Sequence, residues 1–189
     1  MRYFFRVIFK NVDIKQAIRL EIEDDLGFIF RSIPGFIGYL FRYFIYKLLM
    51  KEIGSFPFIS GNVRFMHSNR IRLGKGVLIN ANCYLYGKGG ISIGDNVLIS
   101  PGCAIVAGNH SLNPDVPILE QPSMSEEITI GQDCWIGANA VLVGGVTLAE
   151  GSVIGAGAVV TKDTSPYSIN AGIPARKIGS RRATIDEKT

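Results

Sequence analysis

The chain has 189 residues, of which 47% are hydrophobic and 19% charged. That is one domain with a modest extension and enough apolar material for a core, so disorder over most of its length is excluded. Three cysteines cannot pair evenly and form no CxxC or Cys/His cluster, so neither a disulfide framework nor a structural zinc site is expected, and a reducing cytoplasm is the simplest setting. The net charge of +4 is not one patch: residues 1–60 sum to +3, 61–108 to +4, 109–127 to −4 and 128–189 to +1. A duplex-binding face would not be built around an all-acidic segment, so no nucleic-acid partner is expected.

In chain order, the first 60 residues hold ten of the eleven phenylalanines, and the rest hold eighteen of the twenty-two glycines. The composition therefore predicts an aromatic-rich helical extension over residues 1–60, with a boundary between Gly54 and Gly61. The short apolar start at residues 3–9 is interrupted by Arg6, which argues against a signal peptide. Residues 26–51 are apolar or aromatic at most positions, with Arg31, Arg42, Lys47 and Lys51 as the only charges and Pro34 dividing two helical pieces. The longest uncharged run there is the ten residues between Arg31 and Arg42, half of the roughly 20 a membrane span needs.

From Ile71 the sequence divides into twelve blocks of six, from IRLGKG to AVVTKD. The third residue of every block is aliphatic: Leu73, Ile79, Leu85, Ile93, Ile99, Ile105, Ile130, Ile136, Leu142, Leu148, Ile154 and Val160. The first is small or aliphatic. A period of six is three pleats of a strand, so one residue per block keeps facing the same way, which neither an amphipathic helix nor a two-residue hairpin produces. Three blocks close one triangular coil, and twelve make about four coils stacked roughly 4.8 Å apart.

The repeat breaks once. Residues 109–127, NHSLNPDVPILEQPSMSEE, leave the coil as a loop carrying His110, one of two histidines in the chain. Long loops in compact folds are commonly functional, and an imidazole near its ordinary pKa suits a general base at neutral pH. A solvated loop histidine is the plain alternative. His67 is expected to cap or pack. The three cysteines take the first, interior block position, as small apolar fillers rather than nucleophiles.

Residues 60–182, and most specifically the run from Ile128 to Arg181, resemble the hexapeptide-repeat acyltransferases, in the branch of maltose, galactoside and surface-polysaccharide O-acetyltransferases. The resemblance implies an all-β, left-handed parallel β-helix over residues 61–182 after the N-terminal helical extension, with a polar tail at 183–189. Handedness comes from the resemblance alone, since parallel crossovers are usually right-handed. It also implies acetyl-CoA as co-substrate without a metal, a sugar or glycan acceptor, and a homotrimer with sites between subunits.

By resemblance His110 is the catalytic base. Asn80 holds the acceptor hydroxyl and Asn82 lies beside it, although both stand where an asparagine turn is equally at home. Trp135 flanks the active site and the pantetheine arm. Ala138, Gly155 and Ala156 leave room for that arm, with a backbone N–H near Ala138 for the oxyanion. Thr161, Lys162, Arg176 and Lys177 lie near the adenine and phosphates, where cations are chemically sensible. Asn109 stands where the family often has Asp or Gly, so the acidic partner of His110 is open among Asp115, Glu120, Glu126 and Glu127. For residues 26–51 two roles are expected: a cap closing the first coil and packing on trimer partners, and a peripheral contact with the inner membrane face.

The preferred function is O-acetylation of a sugar hydroxyl in a surface-polysaccharide or lipid-linked glycan precursor. N-acetylation of an amino-sugar nucleotide, serine O-acetylation and a non-catalytic scaffold are the alternatives. Zinc carbonic anhydrases on this fold need three histidine ligands, and this chain has two.

Overall fold

The computed structural model describes residues 13–182; the short apolar start at residues 3–9 and the polar tail at 183–189 lie outside the described residues. Two helices open it, α1 (Ile14–Arg31) and α2 (Gly35–Leu49). Asp13 caps α1 by accepting the Lys15 amide hydrogen at 3.0 Å, and Pro34, pre-set in extended backbone, stands at the N-cap of α2. The rest is a parallel β-helix, left-handed as the resemblance implies.

The described residues form five coils, not four. The first holds β1 (Glu52–Ile53), β2 (Phe58–Ile59) and β3 (Arg64–Met66). The second holds β4 (Ile71–Leu73), β5 (Leu78–Ile79) and β6 (Tyr84–Tyr86), and the third β7 (Ile91–Ile93), β8 (Leu98–Ile99) and β9 (Ala104–Val106). The loop pairs β10 (Asn109–His110) antiparallel with β11 (Ser123–Met124). The fourth coil holds β12 (Ile128–Ile130), β13 (Trp135–Ile136) and β14 (Val141–Val143), and the fifth β15 (Thr147–Leu148), β16 (Val153–Ile154) and β17 (Val159–Val160). A hairpin of β18 (Ser168–Ala171) and β19 (Arg176–Ser180) follows, β18 pairing with β16.

The extra coil hides in the sequence because it breaks the block rule at other positions. Its blocks are KEIGSF, PFISGN and VRFMHS: Lys51 and Pro57 replace the small aliphatic first residue, and Phe65 takes a third position. The boundary expected between Gly54 and Gly61 consequently falls inside a coil. All twelve predicted core residues from Leu73 to Val160 are at most 4% exposed, and the strands stack in register, Leu73 on Ile93 and Ile99 on Ile136. The three cysteine thiols are buried within that column and point at backbone carbonyls of Ser100, Gly137 and Ala149, each 3.2 Å away. Burial raises the Cys134 pKa to about 11, in keeping with filler thiols.

The strands form three faces: β1-β4-β7-β12-β15, then β2-β5-β8-β13-β16, then β3-β6-β9-β14-β17. The turn from first to second face places a left-handed residue at Phe56, Gly76, Asn96, Asp133 and Gly151 in successive coils. The turn from second to third face does so at Asn62, Asn82, Gly102, Asn139 and Gly157. Glycine and asparagine tolerate this backbone best, which explains the glycine enrichment after residue 60 and identifies Asn82 as a turn residue. The helices cover the open first coil. Tyr46 packs edge-on against Phe65 with ring centroids 4.5 Å apart, and the Arg42 guanidinium, buried, donates through Nε to the Ile59 carbonyl at 2.9 Å and through an Nη to that of Ile33 at 2.8 Å.

Candidate active site

Two edges of the prism carry the predicted residues. The edge where the second face turns into the third is built by register: Ile79, Ile99, Ile136 and Ile154 stack, so the residues that follow them, Asn80, Ser100, Gly137 and Gly155, form a ladder up the solenoid. Small residues are needed there, because a Cβ on Gly137 would come within 2.6 Å of the Ala156 nitrogen. Ala138 and Ala156 follow one position later, and Gly155 donates its N–H to the Asn170 carbonyl at 2.7 Å. Trp135, half exposed, lies between Leu98 and Val153 on the second face, and its indole N–H donates to Ser100 Oγ at 3.0 Å. Asn80 donates both its backbone N–H and its Nδ2 to the Ile99 carbonyl at 2.9 Å, so its amide is fixed in orientation by the neighbouring coil.

At the top end of the solenoid Lys162, from the turn that follows β17 on the third face, and Arg176 and Lys177, from β19, converge on a cavity of about 250 Å³, with Ser165, Asn170 and Ala175 on its walls. Asp163, the acid between them in sequence, is turned to the Thr147 amide, accepting its hydrogen at 2.7 Å. Thr161 is exposed just before Lys162. A narrow run of small residues leading to three cations fits a thin amide-bearing chain ending in phosphates.

His110 stands at a different edge, where the third face returns to the first. It lines a cavity of about 280 Å³ with Tyr84, Tyr86, Val106, Gly108 and Ser123. Tyr84 and Tyr86 flank the buried Leu85 on β6, so both point outward from the third face; their rings are near-parallel with centroids 6.3 Å apart. Sequence reasoning missed both tyrosines, although their alternation around Leu85 placed them on an outer face. Asn109 directs Oδ1 to the His110 backbone N–H at 2.9 Å. Of the candidate acids, Glu127 is held on the first face, accepting from Ser92 Oγ at 2.6 Å and facing Arg72 at 3.4 Å. The loop is braced by the buried Gln121, which accepts from the Asn113 N–H at 2.9 Å and donates to its carbonyl at 2.8 Å. Leu112, Ile118, Leu119 and Met124 nonetheless face outward.

His67 has no part in this cavity. It is buried at a left-handed position, with Nδ1 3.1 Å from Gln16 Nε2 and its ring edge-on to Tyr86. Burial, with help from the nearby Arg70 and Lys88 charges, lowers its pKa.

Within one chain, then, the structure gathers Asn80, Trp135, Ala138, Gly155 and Ala156 along one edge, sets His110 on another, and places the three cations at the top end of the solenoid, Lys162 on the turn after the third face. A coiled solenoid of hexapeptides with a ligand-shaped groove and a separate imidazole arm defines a class of transferase. Two family models match it, bacterial transferase hexapeptide (six repeats) over residues 127–162 and hexapeptide repeat of succinyl-transferase over residues 70–107. It is 34% identical over 132 residues to the galactoside O-acetyltransferase of Escherichia coli (strain K12), a match covering 70% of this chain and 64% of the relative, less than two thirds of that protein's length. Among solved structures it is similar to a maltose O-acetyltransferase from Clostridium difficile 630, with TM-score 0.83, 27% identity and 89% of each chain covered. A galactoside acetyltransferase in complex with coenzyme A gives TM-score 0.83 at 29% identity, covering 90% of this chain and 84% of that one.

Proposed function

We propose that this protein is an acetyl-CoA-dependent O-acetyltransferase acting on a sugar hydroxyl, in a surface-polysaccharide or lipid-linked glycan precursor, as a homotrimer at the inner face of a membrane. The observation that carries the reading is the division of the site between two edges. A small-residue ladder beneath a cavity lined by three cations at the top end suits coenzyme A, the imidazole lies elsewhere, and a cyclic oligomer would bring one copy's loop edge against the next copy's ladder edge. The outward apolar residues of the loop supply contact for that seam.

The acetyl-CoA pantetheine would run along Ala138, Gly155 and Ala156 beside Trp135, with Thr161, Lys162, Arg176 and Lys177 countering the charge of its phosphates. The acceptor would occupy the cavity of His110, its ring against Tyr84 and Tyr86, with Asn80 of the adjoining copy's ladder edge fixing the hydroxyl. His110 removes the hydroxyl proton as the oxygen attacks the thioester carbonyl, a backbone N–H near Ala138 steadies the oxyanion, and coenzyme A leaves as the thiol. Release of free thiol from acetyl-CoA, measured against sugars, nucleotide sugars and lipid-linked sugars, tests this. One acceptor class should be turned over by wild type, and His110→Ala should lower kcat by about 10²- to 10⁴-fold; unchanged turnover in the variant removes His110 from the mechanism. A non-catalytic scaffold would also fail to gain heat resistance from coenzyme A, whereas an enzyme that binds it is stabilised by mass action.

A further inference from the structure

The helix α2 is apolar on both sides. Its inner side, with Gly38, Arg42, Tyr43 and Tyr46 buried, closes the first coil. Its other side presents Ile37, Phe41, Phe44 and Leu48, spaced four, three and four apart and therefore on one stripe; all are exposed, Leu48 to 84%. Phe41 touches Phe30 of α1, ring centroids 5.2 Å apart, and the stripe otherwise stands open.

The first coil extends it. Phe56 stacks on Tyr43 with centroids 5.6 Å apart, and Phe58 on Tyr39 at 5.3 Å, yet each keeps much of its surface in the open. Phe56 holds φ at +48°, at the turn where the four later coils place Gly76, Asn96, Asp133 and Gly151. A bulky residue is strained in this region. The strain is accepted at the one coil where the turn displays an aromatic ring beside α2.

We infer that the stripe of α2, together with Phe56 and Phe58, is a docking face for an anionic phospholipid bilayer, lying in the interface rather than crossing it. No helix of the described residues is long and apolar enough to cross a membrane, and fifteen helical residues span only about 22 Å. Charge selects lipid over a second copy of this chain. Residues 26–58 contain four bases and one acid, Glu52; Arg42 is turned inward, while Lys47 and Lys51 are exposed at the rim, the Lys47 ammonium 5.7 Å from the Tyr43 ring centroid. A self-association across this face would set like charges against each other, whereas lipid phosphates complement them. The exposed side of α1 carries Glu21 and Asp25 among its isoleucines and is left outside the face. This sharpens the membrane placement proposed above and rests on it for its meaning: the Tyr84 hydroxyl, at the wall of the His110 cavity, reaches Met66 Sδ in the first coil at 3.3 Å, so the acceptor site begins one coil above the lipid-facing end.

The test is co-sedimentation of the full chain with vesicles of phosphatidylcholine alone and of phosphatidylcholine with phosphatidylglycerol. It compares wild type with a Phe41→Ser, Phe44→Ser, Leu48→Ser triple variant, and thiol release on a soluble sugar acceptor is run in parallel. Wild type should bind the anionic vesicles, lose about tenfold of that binding when salt is raised to screen Lys47 and Lys51, and bind the neutral ones far less. The variant should bind the anionic vesicles roughly a hundredfold more weakly with soluble turnover retained. Equal binding by variant and wild type, or no binding of wild type to anionic vesicles, overturns the inference. So does a change in the variant's oligomeric mass, which would make the face a protein interface. Failure of acetyl transfer in both proteins would count against the enzymatic reading while leaving the vesicle result to stand or fall alone.

Discussion

The ladder edge and the loop edge are made from the same coils and differ in what they interrupt. Along the ladder nothing interrupts the six-residue period, so the backbone stacks closely enough that only Gly, Ala, Ser or Asn fits, and the result is a smooth channel. At the loop edge nineteen residues leave the period, and the result is one candidate functional group, His110, carried on a short hairpin. Regularity gives a place to lay a long ligand, and irregularity gives a place to put chemistry. In the proposed mechanism neither edge is a complete site.

Mixing copies tests this contrast most directly. His110→Ala should be inactive, and a Lys162→Glu, Arg176→Glu double variant should fail with acetyl-CoA. Refolded together at equal amounts in a cyclic trimer, about a quarter of the seams would join an intact histidine to an intact ladder. Activity in the mixture, absent from either parent, is the expected outcome of the thiol-release assay; none would mean that both halves must come from one chain.

The ladder also depends on the column beneath it. Ile136→Ala, in a fully buried position behind Trp135, should destabilise the fold by about 2–5 kcal/mol, read from denaturant unfolding, while the surviving folded fraction keeps its KM for acetyl-CoA. Replacing one cation at a time is milder: Arg176→Ala or Lys162→Ala should raise that KM roughly three- to tenfold with kcat nearly unchanged, because exposed charges are screened. The smallest effect concerns His67, which touches Tyr86 behind the acceptor wall. Its pKa is lowered in the folded chain, so below the ordinary histidine value the unfolded chain takes up the proton more readily, and stability falls as pH drops through about 6.5. A melting temperature that declines by a few degrees between pH 7 and pH 5.5 in wild type, and by less in His67→Gln, is the expected result.

Sequence reading reached the coils wherever block positions one and three obeyed a single rule, since burial there leaves few residue types that fit. It stopped one coil short because Lys51 and Pro57 depart from the small or aliphatic first position and Phe65, packed on Tyr46 of α2, takes an aliphatic third position. Asn82 stands at a left-handed turn position, and its residue type alone does not separate a turn from a contact with the acceptor, since asparagine serves both. Tyr84 and Tyr86 were passed over because outward strand positions carry no periodic constraint. The separation of His110 from Asn80 and Trp135 could not be read from spacing at all, as it depends on which corner each turn occupies once the coil has closed.

A stack of parallel strands has two raw ends, and each is a template on which another chain could lay its own strands. Here α1 and α2 plug one end, with Arg42 saturating the Ile59 carbonyl, and the hairpin of β18 and β19 folds over the flank of the other. The protein is thereby protected from growing end to end into a filament, and truncation of either plug should be felt first as insolubility at high concentration.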